Sequence, residues 1–256
     1  MDITNRYVLD FALRFAAAHP GAEILDFGCG AGRLVRAGLD AGLRIRGADL
    51  YYGGSNDRAE AQSAGLLGTA IGEIAGGRLP FPDASFDLVV NNQVMEHVAD
   101  LDRALAEIRR VLRVGGLALS LFPARDVWRE GHIGIPFAHR LPRGSRLRFV
   151  YTWALRALGL GTWKEQAPNA RQWAADKLAW IDAYTHYRAR TEIFRAFERN
   201  FRNEPGEAEY VRFRLRDVPR RAPLARLLDL PGGSALAAAV FRKLAFLVIL
   251  SRKDAA

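Results

Sequence analysis

Residues 22–41 read Ala22-Glu23-Ile24-Leu25-Asp26-Phe27-Gly28-Cys29-Gly30-Ala31-Gly32-Arg33-Leu34-Val35-Arg36-Ala37-Gly38-Leu39-Asp40-Ala41. The short apolar run Ala22–Phe27 predicts a buried strand, Gly28–Gly32 a turn, and Arg33–Ala41 a helix. Glycines at such a turn remove the Cβ atoms that would keep a ligand from the backbone. The spacing is Gly28-x-Gly30-x-Gly32. A dinucleotide-binding turn needs its third glycine one place later, and that place holds Arg33. Asp49 follows about 20 residues on, at the end of a second apolar run, where a carboxylate can accept hydrogen bonds from two ribose hydroxyls. The stretch therefore points to a nucleoside-like ligand.

Working outward, Ile3–Ala18 places Ile3, Tyr7, Phe11, Phe15 and Ala18 on one helical face, and His19-Pro20-Gly21 stops that helix. Strands are predicted at Leu43–Leu50, Leu66–Ile71, Phe86–Asn91 and Leu117–Phe122, with a helix at Asp100–Leu112. Strands alternating with helices imply a doubly wound, mostly parallel sheet. The rhythm breaks after the fifth strand. Residues 123–190 are rich in Trp, Tyr, Arg and His and predict helices near Leu147–Leu158 and Ala170–Tyr187. It resumes with a helix at Thr191–Asn200, a strand at Glu209–Leu215 and a last strand at Ala245–Ser251, at or next to the sheet's edge. The expectation is an α/β fold with a seven-stranded, Rossmann-like sheet. Residues 1–122 form the ligand-binding core, 123–190 a helical insertion that caps the substrate, and 191–256 complete the core.

The chain has 256 residues, half of them hydrophobic, and a net charge of +9. That composition suits a packed core rather than disorder. Cys29 is the single cysteine, which is compatible with a reducing, cytoplasmic setting. The charge is uneven: −3 over residues 1–122, +10 over 123–226 and +2 over 227–256. A basic segment attracts phosphates, acidic sugars, nucleic acid or an anionic membrane surface; the alternative is a solvated arginine-rich face. Ala235–Leu250 is apolar but broken by Arg242 and Lys243, so it does not predict a membrane span. Phe241, Leu244 and Phe246 with Arg242 and Lys243 could instead touch a membrane surface, or form a helix packing into the final strand.

Further motifs narrow the ligand. Ile24–Leu34 is followed by Gly72-Glu73, then Leu79-Pro80-Phe81-Pro82-Asp83-Ala84-Ser85-Phe86-Asp87-Leu88-Val89, then Met95-Glu96-His97-Val98, then Glu107-Ile108-Arg109-Arg110-Val111-Leu112-Arg113-Val114-Gly115-Gly116. In order and spacing over residues 22–122, the chain resembles the class I S-adenosylmethionine-dependent methyltransferases of the small-molecule methyltransferase-11 type. The resemblance implies S-adenosyl-L-methionine as cofactor. It implies that Asp26 orients the methionine amino group and that the Gly28–Gly32 turn, with Cys29 and Gly30, passes the cofactor by backbone. It further implies Asp49 on the ribose, Leu50 against the adenine, Glu73 and Ile74 bordering the adenine, and Asn91, Asn92 and Gln93 beside the sulfonium. After Asp49 the family usually begins a helix; here Tyr51-Tyr52-Gly53-Gly54-Ser55 intervenes.

Methyl transfer is an in-line displacement in which alignment does most of the work, and a hydroxyl nucleophile also needs a base. His97, after the fourth strand, and His132, in the loop after the fifth, are the candidates; each could instead merely brace its loop. His139 could line the same pocket, His186 reads as a packed or surface position, and His19 as a helix terminator. No cluster has metal-ligand spacing along the chain, so no metal is expected. The leading expectation is O-methylation of a small-molecule or glycan acceptor, with Arg140, Arg143 and Arg146 reading a negative charge on it. The alternatives are an RNA methyltransferase and a catalytically inactive cofactor-binding scaffold. No nucleic-acid partner is expected, because no Asn/Asp-Pro-Pro-Tyr tetrapeptide follows the fourth strand. Arg33 and the Leu79–Phe86 segment speak against an NAD-dependent oxidoreductase.

Overall fold

The structure is a computed structural model that describes residues 1–53 and 55–255. Gly54, in the stretch that departs from the family pattern, lies outside the described residues. In chain order the core is α1 (Ile3–Ala18), β1 (Glu23–Phe27), α2 (Arg33–Asp40), β2 (Arg44–Asp49), α3 (Asp57–Ser63), β3 (Ile71–Glu73), β4 (Phe86–Asn92), α4 (Leu101–Val111) and β5 (Leu112–Phe122). An insertion with α5 (Arg146–Ala157) and α6 (Ala170–Tyr184) follows. The chain then closes with α7 (Arg190–Glu198), β6 (Arg202–Pro205), α8 (Glu207–Arg216), α9 (Gly233–Leu244) and β7 (Leu247–Arg252).

The seven strands lie in the order β3-β2-β1-β4-β5-β7-β6. The first five pair in parallel, and β7 runs antiparallel to both β5 and β6. The strand order reverses between β1 and β4. Helices leave in opposite directions at that point, and a crevice opens at the carboxyl ends of the strands. Strand alternation sends side chains to both faces. Leu25, Phe27 and Val89 pack with Leu105, Ile108 and Phe197 of α4 and α7. Ile24, Leu88 and Val90 pack on the other face with Tyr7, Val8 and Phe11 of α1 and Leu34 of α2.

Three sequence expectations need correction. Glu209–Leu215 is not a strand but part of α8. Tyr210 and Phe213, three residues apart, share a helix face and meet the Tyr7 ring edge-on at 5.0 and 5.4 Å. The sixth strand is the polar Arg202–Pro205, which carries no apolar alternation because it lies at the exposed sheet edge. The third strand is Ile71–Glu73 rather than Leu66–Ile71; Leu66 packs with Ala61 of α3 and Ile71. The late apolar stretch is α9 followed by β7. Phe241 and Phe246 pack against Tyr210, both rings at 5.2 Å, while Leu244 is exposed. Among the described residues no single helix is long and apolar enough to cross a membrane.

The insertion has its own small core of Ile133, Ile135, Ala138, Trp173, Ala174 and Ile181. Arg148 is buried at 2% exposure inside it. Its guanidinium donates to the Ala138 carbonyl at 2.8 Å and to Asp182 of α6 at 2.5 Å, tying α5 to α6.

Candidate active site

The glycine turn sits at the reversal point. Gly28 has φ +75°, and its N–H donates to the Ala48 carbonyl at 2.8 Å, fastening the turn to β2. A Cβ there would overlap the Val94 side chain. Gly30 (φ +52°) faces the Asp57 carboxylate. Gly32 differs from the sequence expectation. It does not line the crevice; a Cβ on it would meet Ile71 at 2.5 Å and Leu66 at 2.8 Å, so it serves the packing that starts α2. Cys29 lines the crevice, and burial pushes its thiol up, which keeps it protonated and unreactive.

Two adjoining cavities follow the carboxyl ends of β1 and β4. The first, about 400 Å³, is lined by Gly28, Gly30, Asp49, Leu50 and Ile74 and reaches His97. The second, about 250 Å³, holds Asp26, Cys29, Asn5 and Asn92. Gly28, Gly30, Asp57 and Gln93 line both. Gln93 takes φ +58° as the chain leaves β4. Asn91 departs from expectation: it is buried, and its amide donates to Ser120 of β5 at 2.8 Å, away from the cavities. Asn92 occupies that side instead, bonded to Asn5 of α1 at 3.0 Å. Glu73 also departs. Its carboxylate pairs with Arg58 at 2.6 Å and lines neither cavity.

Asp49 accepts the Gly30 N–H at 2.8 Å on one oxygen and the Tyr51 N–H at 2.7 Å on the other. An ionised carboxylate offers about four lone-pair sites, so two remain for a diol. Burial pushes the Asp49 pKa up, against the two N–H bonds. Asp26 is raised further, to about 8, by burial and then by the neighbouring Asp49 charge. Among the described residues no Lys or Arg pairs with Asp26. A cationic ligand group would supply that missing charge, and S-adenosylmethionine carries an ammonium on its methionine tail. These residues fit that cofactor: acidic at the methionine end, open backbone at Gly28 and Gly30, and a carboxylate with Leu50 and Ile74 at the nucleoside end.

A pH dependence follows. Below about pH 8 the Asp26 carboxyl holds a proton that an incoming ammonium must expel. Affinity for S-adenosylhomocysteine should therefore rise from about pH 5.5 to 7.5, by at most about tenfold per unit. Calorimetry on wild type and Asp26→Asn checks this. The variant should lose the slope, and a flat wild-type profile would contradict the assignment.

The two histidines proposed from sequence meet: His97 Nε2 and His132 Nε2 are 3.2 Å apart. The His97 Nδ1–H donates to the Tyr184 carbonyl at 2.7 Å. The His132 Nδ1–H donates to Glu130 at 2.8 Å. Glu130 is fully buried and also accepts from the Ile133 N–H at 2.6 Å and from the Tyr187 hydroxyl. Burial works against its ionisation, but the His132 bond and charge, with Tyr187 and Ile133, hold its pKa below the usual range. Burial drives His97 down to about 4, so its ring is neutral. His132 is also buried, yet Glu130 keeps its pKa above the usual value. Trp180 borders both rings at 6.0 and 5.2 Å, and Tyr52 stacks on His97 at 5.7 Å.

Sequence reading did not assign Glu130, Glu96, Tyr187, Tyr52 or Asp57 to the site. Glu130 two residues before His132, and Glu96 beside His97, were the available signals. His139 lines a different cavity of about 480 Å³ with Arg125, Arg140, Arg143, Arg188 and His186. Arg140 donates to the Val127 carbonyl and Arg143 to the Thr185 carbonyl, while Arg146 lines neither the cofactor cavities nor this one. His19 ends α1 as expected, its ring stacked on Phe15.

Comparison with known proteins agrees with this geometry. A family described as "Methyltransferase domain" matches residues 25–120. Malonyl-acyl-carrier-protein O-methyltransferase of Serratia marcescens is 34% identical over 133 residues, 49% of this chain and 51% of that one. Demethylmenaquinone methyltransferase of Thermobifida fusca is 28% identical over 191 residues, 69% of this chain and 78% of that one. The chain thus spans between half and about three quarters of the length of these curated relatives. A solved S-adenosylmethionine-dependent methyltransferase from Mesorhizobium loti shares the fold, with a TM-score of 0.50 at 22% identity over 96% of this chain and all of that one. Residues 25–120 thus match the methyltransferase-domain family, and the sheet order and the glycine turn facing Asp49 agree with that match.

Proposed function

We propose that the chain transfers the methyl group of S-adenosylmethionine to an oxygen of a small-molecule acceptor, with residues 123–190 as the cap over that acceptor. One observation carries this reading: the cavity walled by Gly28, Gly30 and Asp49 runs on to His97, which meets His132 and Glu130 of the insertion. The relatives are consistent with an oxygen acceptor. One is named for malonyl-acyl-carrier-protein O-methylation, another for ubiquinone biosynthesis O-methylation.

The cofactor supplies an electrophilic methyl group when bound. The chain's residues do the rest. Asp26 and Asp49 fix the two ends of the cofactor, and the turn keeps bulk away from it. Tyr52, Trp180 and Tyr184 wall the acceptor end with aromatic surface that excludes water. His97 is neutral and turns its Nε2 towards His132 Nε2, and Glu130 favours the protonated His132, so the pair can hold the proton that the acceptor gives up. Glu130 balances that charge.

An anionic acceptor retains one geometric basis, which includes Arg140 and Arg143 of the arginines read from sequence but not Arg146. Arg125, Arg140, Arg143 and Arg188 line the 480 Å³ cavity, which shares Tyr187 with the histidine site. Incubation with tritiated-methyl S-adenosylmethionine and a panel of phenols, carboxylic acids, hydroquinones and acidic sugars tests the function. Label should pass to an oxygen of at least one class. Label on nitrogen or carbon only, or none from a protein that binds S-adenosylhomocysteine, would overturn the reading.

A further inference from the structure

The Glu96–His97–His132 cluster holds buried carboxylate oxygens that the methyl-transfer reading leaves without a partner. A backbone carbonyl can only accept, so His97 must carry its proton on Nδ1, facing Tyr184. Glu130 takes the His132 Nδ1–H at 2.8 Å on one oxygen and the Ile133 N–H at 2.6 Å on the other, which places the His132 proton on Nδ1. In neutral rings both Nε2 atoms are lone pairs; they face each other at 3.2 Å, a contact that needs a shared proton or a cation between them. Glu96 is 1% exposed, and both its carboxylate oxygens are buried with no hydrogen-bond partner. The ligating atoms of Glu96, His97 and His132 all lie within 4.8 Å of one another. Among the described residues, neither Glu96 nor Glu130 has a Lys or Arg partner. Two carboxylates and two lone pairs thus converge on one dry space.

We propose that this cluster binds a divalent first-row transition ion of the Zn²⁺ class, ligated by Glu96, His97 Nε2 and His132 Nε2. The donor set is two imidazoles and one carboxylate, which suits Zn²⁺, Co²⁺ and Fe²⁺ rather than Mg²⁺ or Ca²⁺. With Zn–N bonds of about 2.0–2.1 Å, two nitrogens on a tetrahedral ion stand about 3.3 Å apart, close to the separation found. The supporting bonds are those that metal-bound histidines make: one Nδ1–H to a carboxylate, the other to a backbone carbonyl. A bound ion also gives the orphaned Glu96 carboxylate a partner, which a proton shared between the two rings does not. His132 stands 35 residues after His97, which adjoins Glu96, so spacing along the sequence does not reveal the set. Three protein ligands leave a tetrahedral ion one open position, and His97 lines the cofactor cavity. An acceptor oxygen bound there would lose its proton more easily. That last consequence rests on the proposed methyl transfer; the binding itself does not.

The test uses the full chain, stripped by chelator and titrated with Co²⁺ alone, read by the visible d–d absorption of a four-coordinate ion. One Co²⁺ per chain is expected, displaced by Zn²⁺. His132→Gln should abolish the bands, Glu96→Gln should weaken binding at least tenfold, and Glu130→Gln, acting through the His132 ring, by about 10–100-fold. S-adenosylhomocysteine calorimetry on each variant separates loss of the site from loss of the fold. Wild-type protein that binds S-adenosylhomocysteine but takes up no stoichiometric Co²⁺ overturns the proposal. Bands that persist in both His132→Gln and Glu96→Gln overturn it as well. Co²⁺ uptake by a protein that fails to bind S-adenosylhomocysteine would support the metal site and remove the cofactor reading instead.

Discussion

Asp49→Ala is expected to weaken S-adenosylhomocysteine binding by about 150–1000-fold while leaving the fold intact. The carboxylate ends β2 with one bond from the Gly30 N–H and another from the Tyr51 N–H. Its remaining lone pairs face the first cavity, where the ribose diol belongs. Hydrogen bonds to a charged partner contribute about 1.5–3 kcal/mol each. Losing two of them costs about 3–4 kcal/mol, which is that range of affinity. The glycine turn keeps its tie from the Gly28 N–H to Ala48, so the variant should unfold within a few degrees of wild type. Calorimetry measures the affinity and thermal unfolding the control. Equal binding by the variant would mean that the ribose does not sit on Asp49.

Arg148→Leu should have the largest effect on stability, about 3 kcal/mol. The guanidinium is buried and bonds the Ala138 carbonyl and Asp182. Breaking a buried pair from one side costs about 3–5 kcal/mol, because the other partner is left without compensation. Asp182 is 29% exposed and still reaches Arg143, which puts the cost at the low end. The loss falls on the insertion, whose core of Trp173, Ile181 and Ile133 is separate from the two cores that sandwich the sheet. Denaturant melts followed by Trp fluorescence should show the insertion loosening first. S-adenosylhomocysteine affinity should stay within about threefold of wild type, since Arg148 lines neither cofactor cavity. A large loss of affinity would mean that the insertion is part of the cofactor site.

The cofactor half of the site was legible because its information is local. A strand, a glycine turn and an acidic residue at the end of the next strand are short-range patterns, and Asp26, Gly28, Gly30, Asp49, Leu50 and Ile74 all reach the cavities. Glycine spacing alone does not separate a glycine that faces a ligand from one that faces a helix, which is why Gly32 was included. The resemblance put Asn91 and Asn92 together beside the sulfonium, but neighbours on a strand point to opposite faces, and only Asn92 lines a cavity. Glu73 was lost to Arg58 on α3, a helix the sequence pattern did not predict.

The acceptor half was legible only as a list of histidines. Their meeting depends on how residues 123–190 fold back over the sheet, and no periodicity encodes that contact. Arginine content does not by itself mark a ligand site, for a physical reason. Guanidinium groups satisfy backbone carbonyls where a loop-rich insertion leaves them unpaired, as Arg140, Arg143 and Arg188 do. Edge strand β6 was missed because a strand exposed to solvent need not look apolar.

The central claim is that the crevice between β1 and β4 holds S-adenosylmethionine. Calorimetric titration of the wild-type chain with S-adenosylhomocysteine tests it most directly. Saturable binding of one molecule per chain, competed by S-adenosylmethionine, is expected. An absence of binding up to millimolar ligand, by protein that circular dichroism shows to be folded, would contradict it.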